Sequence, residues 1–128
     1  MANPNIVNVT TINGVTTGMS VTTVAIGTQH SNSANAIAHN TASSDKVFKI
    51  NALYISNIDG ASAVSVDVAT SDGTSAFHIT KGVSIPADST LDVLNKPIYL
   101  NEGVGLYLAA SAAGDAEAVV SYEEISDQ

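Results

Sequence analysis

Residues 46–70 read KVFKINALYISNIDGASAVSVDVAT, and the rest of the chain is arranged around them. The first half, residues 47–56, carries Val47, Phe48, Ile50, Leu53, Tyr54 and Ile55 and reads as a β-strand. The second, residues 63–70, alternates: Val64, Val66 and Val68 point one way and Ser65, Asp67 and Ala69 the other. Period-2 alternation with β-branched residues marks a half-buried strand. Asn57-Ile58-Asp59-Gly60 between them has turn chemistry, with Asp and Gly both tolerant of the left-handed region. The two strands are therefore expected to fold back on each other as a hairpin. Ala52-Leu53-Tyr54-Ile55 is apolar at successive positions. Either both faces of that strand are covered, or a bulge shifts its register.

The whole chain has 128 residues, the size of one domain, and a domain of this length buries enough surface for its own core. It has no Cys and no Trp, so neither disulfides nor thiolate metal sites arise. The formal net charge is −8, with four Lys (Lys46, Lys49, Lys81 and Lys96) and no Arg. Phosphate contacts from Lys and Arg dominate nucleic-acid affinity, so nucleic acid is not an expected partner, and an anionic membrane surface is not either. No apolar run reaches the length of a membrane-spanning helix. The opening MANPNIVNVTT lacks the basic and apolar regions of a secretory signal, and Asn8-Val9-Thr10 is read as a chance sequon.

Outward from the central stretch, residues 1–12 read as an N-terminal arm. Asn13-Gly14 between Thr/Val-rich runs is the strongest short hairpin signal and predicts a turn there. Residues 27–45 are polar and small, apart from Ile37, and read as a long surface loop with a short strand near residues 36–39. An alternative reading is an arm that orders against a neighbouring subunit. After a turn at Asp72-Gly73, Phe77 and Ile79 share one strand face with His78 between them, Lys81-Gly82 breaks the chain, and Pro86 ends the next strand. Short strands follow at residues 91–93 and 97–100. Val104, Leu106 and Leu108 then alternate with Gly105, Tyr107 and Ala109. Residues 109–120 are Ala-rich, yet Gly114-Asp115 and Val119-Val120 oppose a helix. The segment reads as a turn, then a strand over residues 117–125 with Ala118, Val120 and Tyr122 inward. The sum is an all-β chain: a single antiparallel, jelly-roll-like β-sandwich of eight to nine short strands.

No chemistry-bearing motif stands out. His30, His39 and His78 have no metal-ligand spacing, and no G-x-S-x-G elbow or phosphate-binding glycine loop occurs. Asp59, Asp67 and Asp72 flank the central strands but lack the close spacing of a calcium loop. Tyr54, Tyr99, Tyr107 and Tyr122 lie on strands. Each either fills a core edge with its hydroxyl at the rim, or the exposed ones stack on sugar rings. No catalytic residue, cofactor or metal is expected, and the chain reads as a non-enzyme.

Two stretches, KVFKINALYISNIDG at residues 46–60 and IPADSTLDVLNKPIYLNEGVGLYLAASAAGDAEAVVSYEEIS at residues 85–126, resemble small virion structural proteins of tailed phages, especially phages of marine cyanobacteria. The opening ANPNIVNVTTI is similar as well, and the resemblance is weakest over residues 16–45. It implies a structural virion protein, with a capsid decoration (cement) protein as the favoured form. Such a protein would bridge major capsid subunits on the head surface, as a homo-oligomer with a trimer favoured. The alternatives are a neck, tail or fibre-associated component, or a carbohydrate-binding module for host attachment. Asn3, Asn5, Ile6, Val7 and Val9, outside the expected core, are the expected shell or subunit contact.

Overall fold

In a computed structural model that describes Pro4 and residues 6–127, the chain forms two antiparallel sheets packed face to face. Nine strands appear among the described residues: β1 (Thr11–Val21), β2 (Ala36–His39), β3 (Lys46–Asn57), β4 (Val64–Ser71), β5 (Ala76–Ile85), β6 (Thr90–Asp92), β7 (Ile98–Leu100), β8 (Gly105–Ala110) and β9 (Ala116–Ser126). One sheet, sheet A, has the order β1-β9-β3-β6, with β7 also paired to β3. Sheet B has the order β2-β8-β4-β5. Four antiparallel couples follow from one long hairpin: β1 with β9, β2 with β8, β3 with β6 and β7, and β4 with β5. Rolling that hairpin up sets β9 beside β3 and β8 beside β4, and both pairs form. This is a jelly roll, an antiparallel sandwich in which consecutive strands alternate between layers at the corners.

β3 shows why the apolar pattern changes phase at residues 50–53. Phe48 and Ile50 face the core, then Leu53 and Ile55 do, and all four are buried. Their partners on β9 run without interruption: Ile50 lies opposite Tyr122 and Ala52 opposite Ser121, which leaves Asn51 as the extra residue. The bulge lets one strand give the core two even-numbered and then two odd-numbered side chains. Phe48 and Tyr122 stack at 5.1 Å between ring centroids. Facing them from sheet B are Val64, Val66 and Val68 of β4 and Leu106 and Leu108 of β8, all buried in the same cluster.

The central stretch is not a hairpin. β3 lies in sheet A and β4 in sheet B, with residues 58–63 crossing between the layers. Paired side by side, both strands would present their apolar faces to a layer that neither supplies. Crossing lets each cover the other. The crossing is clamped by Asn57, which is 2% exposed. Its Nδ2 donates to the carbonyls of Ser62 (2.9 Å) and Ile85 (3.0 Å), and its Oδ1 accepts from the Asp59 N–H (2.9 Å). Asp59 in turn accepts from the Ala61 N–H, and Gly60 does not adopt positive φ, so an Asx-type turn replaces the expected left-handed one. Asn40, fully buried, closes the opposite end. It donates to the carbonyls of Lys46 (2.8 Å) and Leu100 (3.0 Å) and accepts from the Ser44 hydroxyl. Removing either side chain strands buried carbonyls, each worth about 1–3 kcal/mol.

Asn13-Gly14 is no turn either. β1 runs straight through it, paired residue for residue with β9 from Thr11–Ser126 to Val21–Ala116. A local hairpin would satisfy only its own short arms. The ladder to β9 pairs the whole strand and buries Val21 while packing Val15 and Met19 against the core. Lys81-Gly82 is likewise a bulge inside β5 and not a break. Gly82 has φ +68°, and its N–H donates to Asp67 Oδ1 at 2.7 Å. Residues 117–125 lie in strand β9 as expected, with Ala118, Val120 and Tyr122 buried. The short strand at residues 36–39 also forms, as β2.

Two outcomes test this account. Asn51 is exposed, so Asn51→Ala is expected to change stability by less than about 0.5 kcal/mol in urea denaturation. Deleting Asn51 makes Ile50 and Ala52 neighbours opposite Tyr122 and Ser121 and keeps Leu53 and Ile55 inward, so the deletion variant is expected to unfold cooperatively like the parent; loss of cooperative unfolding contradicts the bulge. Gly14 is extended, with open space around its missing Cβ. Gly14→Thr is expected to leave stability unchanged or raise it by up to about 1 kcal/mol. A loss of more than that restores the turn.

Candidate interaction surface

The expected contact residues fall at the entry to β1. Asn3 and Asn5 lie outside the described residues, and so does the side chain of Ile6. The backbone of Ile6–Asn8 forms one 3-10 turn. Val7 is 93% exposed and Val9 half-buried. The Thr10 N–H then donates to the Ser126 carbonyl at 2.9 Å, tying this segment to the end of β9. The chain between β1 and β2 is not a loose arm. It crosses the outer face of sheet B, where Ile26 and Ala36 pack on Tyr107, Ala69 and Ala109 in a second small core. His30 fastens it, with Nδ1 at 2.7 Å from Ser71 Oγ and its ring edge-on to Tyr107 at 6.5 Å. A shallow hollow of about 540 Å³ opens within this covering segment, lined by Thr22, Thr23, Thr28, Gln29 and Asn35 among others. Its lining is neutral throughout.

Among the described residues, the outer face of sheet A has no such cover. Register places Gly18, Val119, Tyr54 and Asp92 in one cross-strand row, and Gly14, Glu123, Lys49 and Tyr99 in another. Tyr54 and Tyr99 are exposed, and Asn51 donates across the bulge to Glu123 Oε1 at 3.2 Å. The four tyrosines therefore divide. Tyr54 and Tyr99 face outward on sheet A, whereas Tyr107 and Tyr122 are buried. Tyr99 and Tyr107 do not share a surface.

His30, Asp59, Asp67 and Asp72 have partners within the fold. Asp59 holds the Ala61 N–H, and Asp67 holds the Gly82 N–H with Lys81 Nζ 3.8 Å away. Asp72 accepts from the N–H groups of Ser75 and Thr74, which hold its carboxyl below the ordinary value of 3.8. His30, Ser71 and Asp72 sit close together, but Ser71 is buried and its Oγ already accepts from the Gly73 N–H at 2.9 Å. The trio works as a staple for the covering segment. His39 packs against Gly105, where a Cβ would stand 2.9 Å from its ring. Among the described residues no three His, Asp or Glu side chains converge as metal ligands.

One feature of that surface is legible in the sequence alone: no Asp, Glu, Lys or Arg precedes Asp45. The uncharged segment builds β1, the covering segment and β2, the edge strands of the two sheets on one side of the sandwich.

No protein-family model matches the chain, and no curated protein matches its sequence. Two solved structures superpose on it loosely, each of a pentameric capsid protein isolated from metagenomic phage sequences, one of them solved by iodide SAD phasing. Each is 15% identical over 90% of this chain, with TM-scores of 0.40 and 0.39. The chain spans 62% and 64% of their lengths. Superpositions that loose carry no weight for function.

Burial pushes the hydroxyls of Tyr107 and Tyr122 above the ordinary value of 10.0, with the Glu124 carboxylate adding to the shift at Tyr122. Folding favours the neutral phenol, so its contribution is intact below about pH 10 and is lost as pH rises through the folded-state pKa. Thermal midpoints are expected to fall above about pH 10, and Tyr107→Phe and Tyr122→Phe to flatten that fall. An alkaline limb unchanged in the double variant assigns the loss elsewhere.

Proposed function

We propose that this chain is a structural component of a phage particle: a decoration protein seated on the head, where it bridges neighbouring capsid subunits. The observation that carries the reading is the resemblance over residues 46–60 and 85–126, which takes in β3 and β6 to β9, the strands that build most of sheet A and one inner strand, β8, of sheet B. The jelly roll is compatible with it, being an architecture that capsid proteins share with lectins and cupins. The chain acts by binding alone, with no catalytic step. Each copy adds contact area that an expanding, DNA-filled shell must break before it opens. Trimers at local three-fold positions would place many such contacts around each capsomer, with residues 3–9 reaching toward the shell.

A second reading has one observation in its favour: Tyr54 and Tyr99 are both exposed on the outer face of sheet A, where sugar rings stack on aromatic side chains. A glycan array separates the two. Binding that is lost in Tyr54→Ala and Tyr99→Ala supports host attachment.

Copy number tests the main reading. Quantitative gel densitometry of purified particles is expected to give on the order of hundreds of copies per head, as closed shell symmetry requires. A count on the order of ten or fewer moves the protein to the neck, tail or fibres. Absence from particles ends the reading.

A further inference from the structure

We infer that copies of this chain meet one another along the uncharged flank formed by β1, the covering segment at residues 22–35, and β2. All twelve carboxylates and all four lysines lie at or beyond residue 45. A copy carrying a net charge of −8 is repelled by its neighbour wherever acidic surfaces face each other. This flank is where two copies approach with no formal charge on either side. Its margins are acidic, with Glu117 and Glu123 on β9 beside β1 and Asp72 below His30.

The strand edges point the same way. Proteins guard open sheet edges with bulges, lysines, prolines or shortness. β5 carries two register shifts, a positive-φ Gly82 and Lys81. β2 has four residues and a bulge. β6 and β7 have three residues each, with Pro97 immediately before β7. β1 has none of these: eleven residues in unbroken register, no proline and no charge, and among the described residues no strand pairs with its other edge. Small exposed side chains on β1, with Gly14 and Gly18 among them, allow close approach, and Ile12 and Val24 add exposed apolar surface at the two ends. Across a two-fold axis the flank meets the same flank of a second copy, needs no second complementary patch, and the assembly closes.

The inference does not depend on the phage reading, and its test is separate from copy number on particles. Sedimentation velocity and native mass spectrometry of the full chain, from about 1 to 100 µM, are expected to show a closed oligomer whose apparent affinity rises with salt, because salt screens the acidic bodies and leaves a neutral interface untouched. Thr22→Asp and Val24→Asp are each expected to weaken association at least ten-fold while circular dichroism and melting temperature stay at parental values. Thr74→Asp, in the turn between β4 and β5, is expected to leave it unchanged. A chain that stays monomeric across that range, an assembly that salt dissolves, or flank variants that assemble like the parent would each overturn the inference. Thr22 and Val24 are both exposed and lie outside any strand, so a folding failure in one variant leaves the other to carry the test.

Discussion

Asn51 is one residue more than β9 can match, and that mismatch sets which side chains of β3 meet the opposite layer. Before it, Phe48 and Ile50 point into the sandwich; after it, Leu53, Ile55 and Asn57 do. β9 pairs with β1 on one side and β3 on the other, so the phase of β3 passes to the whole of sheet A. The apolar faces of β4 and β8 in sheet B find cover only because β3 has this phase. A sheet whose strand slips by one residue loses its entire inner face to solvent.

Around that strand two buried amides do what a larger protein would leave to apolar packing. Asn40 and Asn57 bracket β3 and tie its ends to backbone carbonyls of other strands and turns, Leu100 at one end and Ile85 at the other. Both sit where the chain changes layer and backbone carbonyls have no ladder to join. An amide with two donors satisfies two of them at once. The outer face of sheet B is sealed differently, by a polar segment that brings few apolar groups and relies on His30, Ile26 and Ala36. Its sequence is bland because it covers a small apolar spot and otherwise faces water.

Much of this was legible beforehand, and the errors share a cause. The alternation in β4 and β9, the short strand β2 and the doubly apolar pattern of β3 all express burial that each strand feels regardless of its partner. Asn13-Gly14, residues 57–60 and Lys81-Gly82 carry local turn chemistry, and there long-range pairing prevails. β9 offers β1 a full ladder, the layer change separates β3 from β4, and Asp67 holds Gly82 within the strand. Asn40 and Asn57 left no sequence signal, since a buried clamp and a loop asparagine look alike until the carbonyls they bind are in place. The uncharged opening segment was visible in the residues but acquires meaning only when β1 and β2 fall on one side of the sandwich.

Among the described residues the rolled frame has guarded edges at β2, β5, β6 and β7 and an unguarded one at β1. The frame itself rests on the register between β3 and β9. Cross-strand nuclear Overhauser effects in the labelled protein read that register directly. The account predicts Tyr54 opposite Val119 together with Ile50 opposite Tyr122; Tyr54 opposite Ala118, with Ile50 still facing Tyr122, would mean that no residue is extra and would contradict it.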